Sequence, residues 1–125
     1  MSETDNLISP DIFPLKTTDK CCKALELMNE WSVSHLPVLN KDELVGYVST
    51  EDLAFPQDDN EPVTNYLRND RQYKLGASQT IFDLVRDISE SQLSAYAMVN
   101  ESGKFLGVLD VKHFLKQFSN ISQPL

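Results

Sequence analysis

Basic charge is scarce in this chain: 11 Lys and Arg stand against 19 Asp and Glu, a formal net charge of −8 over 125 residues. A cationic footprint able to neutralise phosphates is missing, which argues against non-specific nucleic-acid binding and against adhesion to an anionic membrane surface. Long apolar runs are missing too. No stretch approaches the ~20 residues that span a bilayer, and Met1-Ser2-Glu3-Thr4-Asp5-Asn6 has neither the basic nor the apolar region of a signal peptide. Cysteine is limited to the adjacent Cys21 and Cys22. Neighbouring residues rarely bridge each other and no second pair exists, so a reducing cytoplasm is the expected location. The motifs of catalysis are absent as well: there is no phosphate loop, no nucleophile elbow and no HExxH. Cys21, Cys22, His35 and His113 lack metal-ligand spacing. Neither enzymatic activity nor a metal site is expected.

What the chain does have is an apolar fraction of 41% with 24% charged residues, enough for one compact unit or two small halves sharing a core. It also has a repeat. Leu15 to Asn40 lies over Leu75 to Asn100 without a gap, an offset of 60 residues. Ala24 matches Leu84, Leu25 matches Val85, Met28 matches Ile88 and Ser34 matches Ser94. One extra residue in Glu101-Ser102-Gly103-Lys104 then moves the offset to 61, and Gly46 lies over Gly107. Two similar units that bury their faces together are implied.

Each unit reads alike. A short apolar lead-in, Ile12-Phe13-Pro14-Leu15 or Tyr73-Lys74-Leu75, precedes a helix. Cys21, Ala24, Leu25 and Met28 form an i, i+3, i+4, i+7 stripe, and Ile81, Leu84, Val85 and Ile88 repeat it. Thr18 or Asp19 is the expected cap of the first helix and Ser78 of the second. Trp31 ends the first helix as a packing residue. A hairpin follows, Leu36–Leu39 with Leu44–Val48 and then Tyr96–Val99 with Phe105–Leu109, its runs dense enough for strands buried on both faces. A short helix closes each unit, from about Thr50 to Ala54 and from about Val111 to Phe118. The polar segment Phe55 to Pro62 reads as a surface connector, with a short helix from Val63 to Arg68 after it. The predicted fold class is α/β (α+β): two β-α-β-β-α units related by a pseudo-two-fold axis. Unit one spans 7–57 and unit two 62–119, joined by a linker at 58–61, with tails at 1–6 and 120–125.

The second strand of the first hairpin leaves through Gly46-Tyr47-Val48-Ser49-Thr50-Glu51-Asp52-Leu53, a Gly-x-x-Ser/Thr-x-x-Asp pattern that follows the apolar-Pro-apolar strand Ser34-His35-Leu36-Pro37-Val38. The repeat, the order of elements and this motif resemble a tandem pair of cystathionine-β-synthase (CBS) domains, the Bateman module, over about Leu7 to Ser119. The second half departs from the pattern. Ser94-Ala95-Tyr96-Ala97-Met98-Val99 has no proline, Asp110 stands at the Ser/Thr position and His113 at the Asp position.

The resemblance implies a regulatory module that binds an adenosine derivative, such as AMP, ADP, ATP or S-adenosylmethionine, in clefts between the units. Carried onto these residues, His35, Leu36 and Pro37 line the adenine, Ser49 and Asp52 hold the ribose, and Thr17 or Thr18 touches the same ligand. An ionised carboxylate suits the task, because it accepts from both hydroxyls of a vicinal diol. Lys16 and Lys20 are the nearest basic candidates for phosphate, while Glu51 beside Asp52 repels it. The corresponding second site, Ala95, Tyr96, Asp110 and His113, is expected to be impaired, since a neutral His accepts through one nitrogen only. Ser49 and Asp52 also fit a helix start with no ligand at all, as cap and dipole partner. The alternative function is therefore a ligand-free interaction or dimerisation module. The resemblance further implies a homodimer assembled through helices, and Cys22, Phe82, Phe114, Leu115 and Phe118 are the apolar side chains expected on the outer helical faces.

Overall fold

Continuous burial along two pairs of apolar runs gives two hairpins, and the 3.6-residue stripes give the helix that precedes each of them. The computed structural model describes residues 7–54, 60–68 and 73–122, with side chains through Gln117. In chain order the elements are β1 (Ile8–Ser9), β2 (Leu15–Lys16), α1 (Cys21–Trp31), β3 (His35–Asn40), β4 (Glu43–Ser49), α2 (Thr50–Leu53), β5 (Lys74–Gly76), α3 (Ile81–Ser91), β6 (Ala95–Val99), β7 (Phe105–Asp110) and α4 (Val111–Ser122). The β-α-β-β-α order thus occurs twice. A 3₁₀ turn, Val63–Tyr66, stands where a short helix was expected.

Each half builds one sheet. In the first, β2 runs parallel to β3 and β3 antiparallel to β4. In the second, β5 runs parallel to β6 and β6 antiparallel to β7. The ladders share an irregularity: the register slips between Val38 and Leu39 and again between Met98 and Val99, leaving Val45 and Leu106 as the extra residues before Gly46 and Gly107.

The two sheets are then stitched together by an exchange of lead-in segments. β1, at the start of the chain, pairs antiparallel with β7 of the second half. Reciprocally, Arg68 crosses to β4, its N–H donating to Tyr47 O at 2.9 Å and its carbonyl accepting from Tyr47 N at 3.3 Å. This exchange explains both motif glycines. A Cβ on Gly46 would lie 2.7 Å from the Arg68 carbonyl oxygen, and a Cβ on Gly107 would run into Ile8 Cγ2. Only glycine lets the crossing strand come this close.

The cores interlock in the same way. Leu15, Cys21, Ala24, Met28, Leu36, Val38 and Leu53 of the first half pack with Ala95 and Val108 of the second. Leu75, Leu84, Ile88, Met98, Leu109 and Phe114 of the second half pack with Tyr47 of the first. The helical stripes fall where expected, with Cys21, Ala24, Met28, Leu84 and Ile88 buried and Leu25, Ile81 and Val85 half-buried.

Three local expectations need correction. Neither Thr18 nor Asp19 caps α1. Its N-cap is Lys20, without a side-chain bond, and the Cys21 N–H donates instead to Glu61 O at 2.8 Å. The end of the connector lies against the head of the helix there, so main chain takes the role of a capping hydroxyl, while Asp19 accepts from Lys16 N at 2.8 Å. Ser78 does not cap α3 either; Thr80 does, accepting from Asp83 N at 3.2 Å. Phe114 is not an outer side chain: at 2% exposure it fills the second core. Phe82 and Leu115 are exposed, at 86% and 48%, and so is Cys22. The side chain of Phe118, and the connector at 55–59, lie outside the described residues.

Candidate functional site

The first exit motif is built where β4 passes into α2. Ser49 keeps an extended backbone and caps the short helix, its Oγ accepting from Asp52 N at 3.1 Å. The capping hydroxyl fixes the helix start and so fixes the direction of Asp52. The Asp52 carboxylate is held by a residue that sequence reasoning missed. Arg68 Nε donates to one oxygen at 2.9 Å and Arg68 Nη2 to the other at 2.9 Å, a bidentate fork. Arg68 stands there because its main chain is paired with Tyr47, two strand positions before Ser49. Among the described residues Arg68 is thus a cation at the motif acid, contributed by the segment that leads into the second half.

His35 lies directly opposite Ser49 in the ladder, and Leu36 and Pro37 continue from it. The His35 side chain is committed to the other half. Ser94 Oγ accepts from Ser34 N and from His35 N, each at 2.9 Å. The Ser94 N–H in turn donates to His35 Nδ1 at 3.1 Å, which assigns the ring proton to Nε2 when the ring is neutral. Ser34 and Ser94 are equivalent in the repeat, so this contact marks the pseudo-two-fold axis. Leu36 and Pro37 are buried, Leu36 in the first core. Thr17 is not brought to this group. Its N–H donates to Leu39 O at 3.3 Å, at the turn end of β3. The four residue steps from His35 to Leu39 put roughly 13 Å between it and the exit.

The second exit has the same frame and different chemistry. Asp110 takes the capping role of Ser49, its Oδ1 accepting from Lys112 N at 3.1 Å. His113 is exposed, one turn on. Both open into a cavity of about 530 Å³ shared with Pro10, Asp11, Glu30 and Trp31. Trp31 is braced edge-on by Phe13, with ring centroids 6.2 Å apart. Lys112 Nζ donates to Ser32 O at the end of α1, a cation where the helix dipole favours one. Ala95 and Tyr96, expected at this site, are buried. The Tyr96 hydroxyl is taken up by Ser91 Oγ at 2.5 Å and Leu93 N at 3.0 Å.

Both cysteines are free. Burial, with smaller contributions from Glu61 and Cys22, pushes the Cys21 thiol above its ordinary value, which keeps it protonated and unreactive. Among the described residues no three His, Cys, Asp or Glu side chains converge as a metal site, and no helix is long and apolar enough to cross a membrane.

The family model described as "CBS domain" matches residues 5–55 and again 70–120. Inosine-5'-monophosphate dehydrogenase of Streptococcus pyogenes is 24% identical over 119 residues, which cover 93% of this chain and 24% of that enzyme. The chain therefore spans about a quarter of the length of the curated relatives it matches. A CBS domain pair/ACT domain protein from Thermotoga maritima superposes with a TM-score of 0.81 at 17% identity, covering 98% of this chain and 99% of that one. CBSX2 in complex with AMP superposes with a TM-score of 0.77 at 21% identity, covering 98% and 100%.

Proposed function

The chain belongs to the CBS domain family as a tandem pair, and on that premise we propose that it is a regulatory ligand-sensing module with no catalytic step of its own. Its ligand is an adenosine derivative, AMP, ADP, ATP or S-adenosylmethionine, bound mainly at the first exit. The observation that carries this reading is the Asp52 carboxylate, steered by the Ser49 cap and already accepting two parallel donors. A ribose diol offers the same two donors to the same acceptor. His113 cannot do this, which ranks the second exit below the first. A solved relative of the same fold is described with AMP bound, which supports the ligand class. The same reading puts the module in a reducing cytoplasm, where Cys21 and Cys22 stay thiols.

Asp52→Ala is expected to weaken the ligand by about 1.5–3 kcal/mol, the worth of a charge-assisted contact, while the fold is retained. Titration calorimetry of the variant beside the parent decides it. Unchanged affinity, with a ligand confirmed to bind, removes Asp52 from the site. His113→Asp is the converse variant: it restores a diol acceptor in the second cavity, and binding stoichiometry should rise. Trp31, the single tryptophan of the chain, walls that cavity. Its emission should change on ligand addition in His113→Asp and stay flat in the parent.

A second reading, an interaction module that binds no small molecule, draws on the outer helices. Phe82, Cys22 and Leu115 leave apolar surface there that the described intramolecular core does not cover. We infer a homodimer through these helices under either reading, with isologous contacts. Sedimentation equilibrium from micromolar to sub-millimolar concentration should show the mass climbing from 14.2 kDa toward twice that value. A constant mass rejects the dimer. Thermal shift separates the two functions, because a ligand of the folded state stabilises by RT ln(1 + [L]/Kd). No shift with any of the four ligands at millimolar concentration selects the interaction module.

A further inference from the structure

We propose that Arg68 sets which adenosine derivatives the first exit accepts: it favours those that carry a phosphate and disfavours the bare nucleoside. The inference rests on the Asp52 reading above and adds to it a residue that selects by charge.

The guanidinium is a stand-in for a ribose. Its Nε–H and Nη2–H are two adjacent, parallel donors, and each reaches one oxygen of Asp52 at 2.9 Å. A vicinal diol presents its two hydroxyls to a carboxylate in the same way. The diol and the guanidinium therefore compete for the same pair of acceptor positions, and a nucleoside that engages both oxygens of Asp52 from that side does so by displacing Arg68. That displacement is not free, because the carboxylate side chain is only 21% exposed and the fork is bidentate.

What the ligand carries elsewhere decides whether the cost is recovered. Adenosine breaks the pair and gives the guanidinium nothing in return. A nucleotide breaks the same pair and offers phosphate oxygens, a bidentate partner for which the planar fork is suited. The main chain keeps Arg68 in place for this second role. Both its N–H and its carbonyl stay bonded to Tyr47, so the side chain, 49% exposed, swings while the strand holds. The exposed Glu51 beside Asp52 opposes an incoming anion, and the released Arg68 offsets it.

The test is calorimetry with AMP and adenosine against the parent, Arg68→Gln and Arg68→Lys. The parent should bind AMP the more tightly. In Arg68→Gln, adenosine should tighten several-fold, about 3–10 times, while AMP weakens about ten-fold, as a charge-assisted fork is lost. In Arg68→Lys the competition with the diol is weaker but the charge remains, so adenosine tightens and AMP keeps most of its affinity. Opposite movement of the two ligands is the signature, since a residue that merely supported the fold would weaken both. If both weaken together in Arg68→Gln, or the AMP-to-adenosine ratio is unchanged, the role of Arg68 is overturned and the nucleotide reading survives. If the parent prefers adenosine, the proposal is equally overturned. If neither ligand binds the parent, the role of Arg68 is overturned, and the adenosine-ligand reading falls with it only when ADP, ATP and S-adenosylmethionine fail to bind as well.

Discussion

Tyr47→Ala should lower the stability of the whole chain by about 3–5 kcal/mol, a loss typical of truncating a large buried aromatic. Tyr47 belongs to β4 of the first half, yet its side chain, 1% exposed, lies in the second core. Its hydroxyl donates to Tyr73 O at 2.6 Å and accepts from Ala97 N at 2.8 Å, so it also joins the lead-in of the second half to β6. Truncation opens a cavity and orphans both main-chain groups. Tyr47→Phe keeps the ring and loses only the bonds, and should cost about 1–3 kcal/mol. Urea unfolding of both variants measures the two shares; a Phe variant within experimental error of the parent would show that the hydroxyl contributes nothing. There is also a pH signature. Burial, reinforced by Tyr96 and opposed by the Ala97 N–H, raises the Tyr47 pKa well above its ordinary 10.0. A raised folded value means that its contribution is complete below pH 10 and is lost as pH climbs toward the folded pKa. Cys21, raised above 9.0 by burial, acts in the same direction. Stability should fall from about pH 9 upward, and less steeply in Tyr47→Phe.

The repeat was legible because both halves carry the same apolar spacing, and apolar spacing is what packing reads. Cys21, Ala24 and Met28 were placed on a buried face by position alone, as were Leu84 and Ile88. The capping residues were not legible in the same way. Thr18, Asp19 and Ser78 are good caps by type, but the head of α1 is filled by the carbonyl of Glu61, which arrives from 40 residues along the chain. A cap is a choice among donors and acceptors that tertiary structure brings together. Phe114 failed for a related reason. The last helix offers two adjacent aromatic or aliphatic positions, Phe114 and Leu115, and only the crossing of the helix over its sheet decides which one turns inward.

The site divides along the same line. Ser49 and Asp52 sit three residues apart and belong to one local motif, so their hydrogen bond follows from the sequence. Arg68 was invisible because it reaches Asp52 through the exchange of lead-in segments, 16 residues away with the connector between. The one available signal was Gly46 itself. A glycine at a buried strand position asks what passes close to it, and the answer is Arg68.

Gly46→Ala tests that answer directly. Gly46 has φ +154°, a region that side chains other than glycine rarely enter, and the new Cβ would lie 2.7 Å from the Arg68 carbonyl oxygen and 3.1 Å from Leu67 Cδ1. The backbone conformation alone costs about 1–3 kcal/mol. The clash adds to it, because the obstacle is main chain tied to Tyr47 by two hydrogen bonds and cannot rotate away. A total loss of about 2–4 kcal/mol is expected. Gly107→Ala is the internal control. Gly107 has no positive φ, and its obstacle is the side chain of Ile8 on a two-residue edge strand near the start of the chain. That strand can shift, so the loss should be smaller, about 1–2 kcal/mol. Urea unfolding of the two variants settles the order, and equal losses or the reverse order would show that Arg68 is not the rigid neighbour it is taken to be. The consequence for the site is separable from stability. Displacing Arg68 from β4 carries its guanidinium away from Asp52, so folded Gly46→Ala should lose the preference for AMP over adenosine, whereas Gly107→Ala should keep it.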